Sequence, residues 1–176
     1  FHMNGFWRGK GQAEDVVTLL EGVKAKVSNN TVVRYAEGTG LEASNQEKLA
    51  DAVALAKQSD VVILAVGEDA DKTGEAASRT NIELYPAQKE LVKAIHSTGT
   101  PVVMVLMNGR PLAIEWSEAN IPSILNGWHL GTEAGNALAD VMFGDYNPSG
   151  KLTMTVPRKT GQIPIFYNRK RISRPL

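Results

Sequence analysis

Residues 67–81, Gly67-Glu68-Asp69-Ala70-Asp71-Lys72-Thr73-Gly74-Glu75-Ala76-Ala77-Ser78-Arg79-Thr80-Asn81, hold most of the candidate chemistry of this chain. They follow an uninterrupted apolar run and precede a segment with helical periodicity. Loops between such elements usually have about two to six residues. An excess of this size marks a binding or catalytic loop more often than a solvated insertion, and both readings stand on length alone. Glu68, Asp69, Asp71, Glu75 and Arg79 give the segment carboxylate and guanidinium groups that can face a polar substrate.

Two further segments carry groups of interest. Asn108-Gly109-Arg110-Pro111 follows a second apolar run, and its proline pre-sets the next helix. Arg110 is either a surface arginine or a fork that holds a carboxylate on a neighbouring loop and so orients an acid. Trp128-His129-Leu130-Gly131-Thr132-Glu133 sets an aromatic ring and a histidine before a helix start. Glu133 is explained by the helix dipole, and Trp128 reads as a core or interdomain aromatic from its place in a strand. His129 stands alone, with no HExxH-type spacing, so no metal site is expected. There is no phosphate-binding glycine loop and no GxSxG elbow, which argues against a nucleotide cofactor and against serine hydrolysis. No cofactor is expected.

The elements that must position these loops follow from periodicity. Residues 14–27 place Val16, Val17, Leu20, Val23 and Val27 on one helical face, and residues 31–35 form a short β-branched strand. Asn45 caps a helix through Lys57, and residues 61–66 form a fully apolar strand of the kind found in parallel sheets. Pro86 opens the next helix and Gly99 ends it, ahead of a second apolar strand at residues 102–107. A short helix at 111–117, a strand at 123–128 and a helix from a Thr132 cap to Met142 follow. A turn at 147–150 then precedes the run Leu152-Thr153-Met154-Thr155-Val156. Strands alternating with helices in this way predict an α/β fold, a mostly parallel sheet sandwiched between helices in three α/β/α layers. Ligands of such sheets meet the loops at the carboxyl ends of the strands, which is where all three segments lie.

Composition narrows the function classes. The chain has 176 residues, 19 Lys+Arg against 19 Asp+Glu, 43% apolar residues and no cysteine. Charge balance argues against a nucleic-acid partner, and no apolar run approaches the roughly 20 residues of a membrane span. The absence of Cys removes thiol catalysis. The opening Phe1-His2-Met3-Asn4 reads as the interior of a longer chain, and residues 168–176, with four cations and no acid, read as a basic connector.

Ser59-Asp60-Val61-Val62 with Gly67-Glu68, Glu75-Ala76-Ala77-Ser78-Arg79, Met107-Asn108-Gly109-Arg110-Pro111, Gly131-Thr132-Glu133-Ala134-Gly135-Asn136-Ala137 and Phe143-Gly144-Asp145-Tyr146-Asn147-Pro148-Ser149-Gly150-Lys151-Leu152 occur in that order. Together they closely resemble glycoside hydrolase family 3, over roughly residues 7–167, in the second, α/β-sandwich domain of the periplasmic bacterial β-glucosidases. The resemblance implies a domain at residues 1–167 whose partner, a TIM-like barrel with an aspartate nucleophile, is absent from this chain. It implies a retaining β-glucosidase acting on terminal β-D-glucosyl residues of a glucoside or oligosaccharide, in the periplasm or secreted. Glu75, with Arg79 behind it, falls on the family's general acid/base, and Glu68 is the runner-up. Asp69, Asp71, Ser78 and Arg79 then contact sugar hydroxyls or steer the glutamate. The alternative is a non-catalytic module for carbohydrate binding or interdomain packing.

Overall fold

The computed structural model describes residues 2–168 and 170. The basic stretch 168–176 lies outside them, apart from Asn168 and Lys170. Three parallel strands form the sheet in the order β1, β2, β3: Val62–Gly67, Val102–Met107 and Ser123–Asn126. Among the described residues five α-helices accompany them: α1 (Leu19–Lys26), α2 (Gln46–Ala56), α3 (Pro86–His96), α4 (Glu115–Asn120) and α5 (Ala134–Phe143).

The two faces of the sheet divide the core. Leu64, Val66, Met104 and Leu106 share one face with Ala52 and Ala56 of α2 and with Leu91, Val92 and Ile95 of α3. Ile63, Val105, Met107 and Leu125 share the other with Ala134, Leu138 and Met142 of α5 and Leu19 of α1. The alternation is the period of two along a strand. Met104 and Val105 are fully excluded from solvent because β2 is paired on both sides. The result is the three-layer α/β/α arrangement expected from the alternation of elements. None of the described helices is long and apolar enough to cross a membrane.

Local chemistry accounts for the boundaries. Asn45 Oδ1 accepts the Lys48 N–H at 3.0 Å and starts α2 as the sequence implies. Pro86 opens α3 without needing a side-chain cap. The helix expected over 14–27 begins only at Leu19, because Thr18 and Glu21 form a reciprocal capping box: Thr18 N–H donates to Glu21 Oε2 at 2.8 Å and Glu21 N–H to Thr18 Oγ1 at 3.2 Å. The hydrogen bonds that the Glu21 carboxyl accepts from the Thr18 N–H and, at 2.7 Å, from the Thr18 hydroxyl hold it below its ordinary value. Upstream, Val17 is spent on α5, donating to Thr132 O at 2.8 Å and accepting from Gly135 N–H at 2.9 Å.

Four other expectations are corrected. Residues 31–35 join no ladder; Val32 is 75% and Tyr35 69% exposed, so the β-branched run has neither a partner edge nor a face to bury. The short helix expected at 111–117 is displaced to Glu115–Asn120, since Ala113 N–H bonds Ile82 O at 2.8 Å and keeps that stretch extended. β3 stops at Asn126, where Gly127 still donates to Leu106 O but Trp128 turns the chain away at a φ of 47°. α5 begins at Ala134 rather than after a Thr132 cap, because the Thr132 carbonyl is committed to Val17.

α1 and α5 cross at glycines. A Cβ on Gly22 would stand 2.2 Å from Gly135 O, and one on Gly135 would stand 2.1 Å from Thr18 O. Gly22→Ala should therefore lower stability by about 1–3 kcal/mol, as overpacking does, although alanine is by roughly 1 kcal/mol the better helix former. Thermal unfolding of the chain checks this; a raised midpoint would show that the helices separate freely.

Candidate active site

Parallel strands release their chains at one edge, so the loops after Gly67, Met107 and Asn126 are neighbours. The first leaves through a glycine for a steric reason. Gly67 has a φ of 143°, and a Cβ there would lie 1.7 Å from Met107 O. Gln88 of α3 accepts the Gly67 N–H at 3.3 Å, and Glu68 N–H donates to Met107 O at 2.8 Å. This directs the Glu68 side chain inward.

The Glu68 side chain has no solvent exposure and meets two guanidinium groups. Arg79 Nη1 lies 2.5 Å from its Oε1; Arg110 Nε lies 3.1 Å from Oε1 and 3.3 Å from Oε2. A desolvated carboxylate is tolerable only when paired and hydrogen-bonded in this way. Arg79 also donates to Glu83 O at 3.0 Å and lies over the Tyr85 ring at 4.3 Å. Arg110 Nη2 donates to the carbonyls of Lys72 and Ala77, the latter at 2.9 Å. Of the two readings open for Arg110, the fork on a neighbouring carboxylate is the observed one.

Glu75 sits between those two carbonyls. Ala77 N–H donates to Gly74 O at 3.3 Å and closes a turn whose inner residues are Glu75 and Ala76. Ala76 has a φ of 60°, a position where glycine is usual, and an L-residue there costs on the order of 1–2 kcal/mol. Strain of this kind persists only where the surroundings impose it. Gly74, at a φ of 117°, is close-packed: a Cβ there would stand 2.8 Å from the Phe6 ring. The Glu75 carboxyl itself is exposed at the tip of the turn.

The remaining loop residues divide by whether their polar groups are spent. Asp69 is half-buried and caps the short 3-10 turn Ala70–Lys72, accepting the N–H groups of Asp71 at 3.1 Å and Lys72 at 3.0 Å. Asp71 and Ser78 are exposed on either side of Glu75. Lys72 Nζ pairs with Glu42 at 2.7 Å, and that hydrogen bond holds the ammonium above and the carboxyl below their ordinary values.

The second and third loops close against the first. Asn108 is fully buried and donates through Nδ2 to Arg110 O at 2.5 Å. Gly109 leaves room for the buried Thr73, whose side chain would lie 2.5 Å from a Cβ on Gly109. On its other side, Thr73 Oγ1 is 3.3 Å from His129 Nε2. His129 thus joins the loop packing, and Trp128 is half-buried beside it. Glu133 stands at the N-cap of α5, just ahead of Ala134, and accepts from Asn136 Nδ2 at 2.7 Å. Among the described residues no three His, Asp or Glu side chains converge as a metal site requires.

The Lys72–Glu42 pair and the packing of Phe6, Gly109 and His129 around the loop have no sequence signature. The Glu68–Arg110 bond had one available. Gly67 and Met107 are partners in the β1–β2 register, which brings residues just beyond them face to face.

The family model for the glycosyl hydrolase family 3 C-terminal domain matches residues 2–175. The periplasmic β-glucosidase of Salmonella typhimurium is 42% identical over 97% of this chain and 25% of its own length. A β-xylosidase of Formosa agariphila is 48% identical over 86% of this chain and 21% of its own. The crystal structure of a β-glucosidase from Listeria innocua in complex with gluconolactone superposes with a TM-score of 0.90 at 37% identity, covering 99% of this chain and 24% of that one. The chain thus spans about a quarter of the length of these relatives. Sequence, fold and the order of its strand-end loops together assign the chain to the C-terminal domain family of glycosyl hydrolase family 3.

Proposed function

We propose that this domain lends Glu75, as general acid/base, to the active site of a retaining β-glucosidase whose nucleophile stands on a barrel domain. The observation that carries this reading is the contrast between two carboxyl groups of one loop. Glu68 is enclosed between arginines, whereas Glu75 is exposed at the tip of a braced turn. Relatives named β-glucosidase and β-xylosidase, and solved relatives in complex with gluconolactone and with glucose, support a β-glycoside as substrate.

The chemistry follows from the pairing of two carboxyl groups about 5–5.5 Å apart. The barrel's aspartate attacks the anomeric carbon and forms a glycosyl ester, while Glu75 gives its proton to the departing glycosidic oxygen. Water then attacks the same carbon and passes its proton to the Glu75 carboxylate, and the aspartate leaves. Both groups return to their starting states. Bringing the acid from a second domain lets the site close over the sugar, and such closure strengthens the electrostatic interactions inside. Asp71 and Ser78, exposed on either side of Glu75, meet sugar hydroxyls in this reading. Asp69 and Arg79 act within the loop. The Salmonella relative's name supports a periplasmic or secreted setting.

One carboxyl group cannot carry out a double displacement. The 176-residue chain alone should show no turnover of p-nitrophenyl β-glucoside, and the barrel, joined or added, should bring kcat into the usual range of roughly 1–10³ per second. Turnover of that order by the chain alone would overturn the reading. Saccharide binding by the chain alone, with a Glu75-independent enzyme, would favour a binding or packing module.

A further inference from the structure

We propose that Arg110, held in place by Glu68, is the positioning residue that fixes the turn carrying Glu75; the inference rests on Glu75 being the acid/base. Arg110 belongs to a different loop from the turn it braces. Its backbone is pinned by the bond from the buried Asn108 side chain and by Pro111. Its planar fork reaches three places at once: the Glu68 carboxylate, the Lys72 carbonyl and the Ala77 carbonyl. The two carbonyls bracket Glu75, one three residues before it and one two residues after. A single rigid group therefore sets the width of the segment from which the acid projects.

The turn needs such a brace. Ala76 keeps a positive φ beside the acid, and a free chain with an alanine there relaxes to negative φ. Relaxation would swing the preceding peptide and with it the direction of the Glu75 side chain. Glu68 completes the device without touching substrate. It neutralises Arg110, orients its Nε, and couples it to Arg79, whose own second bond and ring contact hold the far end of the loop at Glu83 and Tyr85. Proton transfer to a leaving group tolerates little misplacement: a shift of about 1 Å can cost roughly a hundredfold.

Arg110→Lys tests this, because an ammonium keeps the charge but cannot occupy the Nε and Nη2 positions together. In the enzyme assembled from barrel and domain, kcat/KM is measured for an alkyl β-glucoside, whose leaving group needs a proton, and for 2,4-dinitrophenyl β-glucoside, whose leaving group does not. For Arg110→Lys the expected loss is about 30–100-fold on the alkyl glucoside and under about threefold on the dinitrophenyl one, as for a displaced acid. Glu75→Ala, run in parallel, shows the same asymmetry enlarged. Equal losses on both substrates for Arg110→Lys would overturn the inference and make the residue a support of the fold alone. No asymmetry for Arg110→Lys with a clear one for Glu75→Ala would overturn the inference and leave the acid/base reading standing. No asymmetry in either variant would overturn both. Should the lysine variant not fold, Arg110→Ala with methylguanidinium answers the question. Selective recovery on the alkyl glucoside supports the brace, and a folded variant without recovery refutes it.

Discussion

Glu75→Ala in the assembled enzyme is expected to lower kcat/KM for unactivated β-glucosides about 10²–10⁴-fold, the usual contribution of a positioned general acid. The loss should depend on the leaving group, since an alkoxide cannot depart unprotonated and a dinitrophenolate can. For the dinitrophenyl substrate the glycosyl ester then accumulates, because the second step has lost its general base. Azide needs no base, so it should restore kcat and yield a glycosyl azide. Glu75→Gln keeps the shape but has no proton to give, and should resemble the alanine variant in its leaving-group dependence. Neither change disturbs packing: the residue is exposed and its effect on stability should stay within about 0.5 kcal/mol. Stability unchanged with turnover lost is the signature of a chemical role. An unaltered rate in both variants would remove Glu75 from the reaction.

Much of the frame is legible in the sequence. Residues 102–107 coincide with β2, and Pro86 marks the start of α3, because an apolar run and a helix-opening proline are signals contained in the segment itself. Elements failed where the deciding partner was distant. Val17 is withdrawn from a helix by Thr132, Ala113 from another by Ile82, and Val32 lacks an edge to pair with. None of these is visible from local periodicity, and tertiary context overrides propensity at each.

The loop at 67–81 announced itself by length and charge, but its interior order did not. Glu68 and Glu75 are both glutamates in one polar stretch, seven positions apart; residue type does not tell them apart, and only the family resemblance ranks Glu75 ahead of Glu68. What separates their environments is that β1 and β2 pair in a register ending at Gly67 and Met107, which delivers Arg110 to Glu68 and leaves Glu75 exposed at a turn. The glycine before Glu68 belongs to the same device, since the backbone there passes too close to Met107 for any side chain.

That difference in burial gives the second large effect. Glu68→Ala removes the anion from between two guanidinium groups whose side chains are only 14% and 19% exposed. Deleting one partner of a buried ion cluster costs about 3–5 kcal/mol, because the remaining charges stay desolvated and uncompensated. In a domain of this size each kcal/mol moves the midpoint by roughly 2–4 °C, so a fall on the order of 10 °C is expected in a thermal melt. Glu68→Gln, which keeps one acceptor oxygen, should lose less. Arg110→Ala on the Glu68→Ala background should cost less than the two changes summed, since the charge left unpaired is removed with it. Activity on unactivated glucosides should fall as well, through the loosened turn. Azide should yield no glycosyl azide from the folded Glu68→Ala enzyme, since Glu75 still stands in the site to serve as base for water. A glycosyl azide from that variant, together with an unchanged melting temperature, would transfer the acid/base role from Glu75 to Glu68. It would also mean that the arginine cluster opens in the assembled enzyme, because a carboxyl enclosed as Glu68 is cannot reach a sugar.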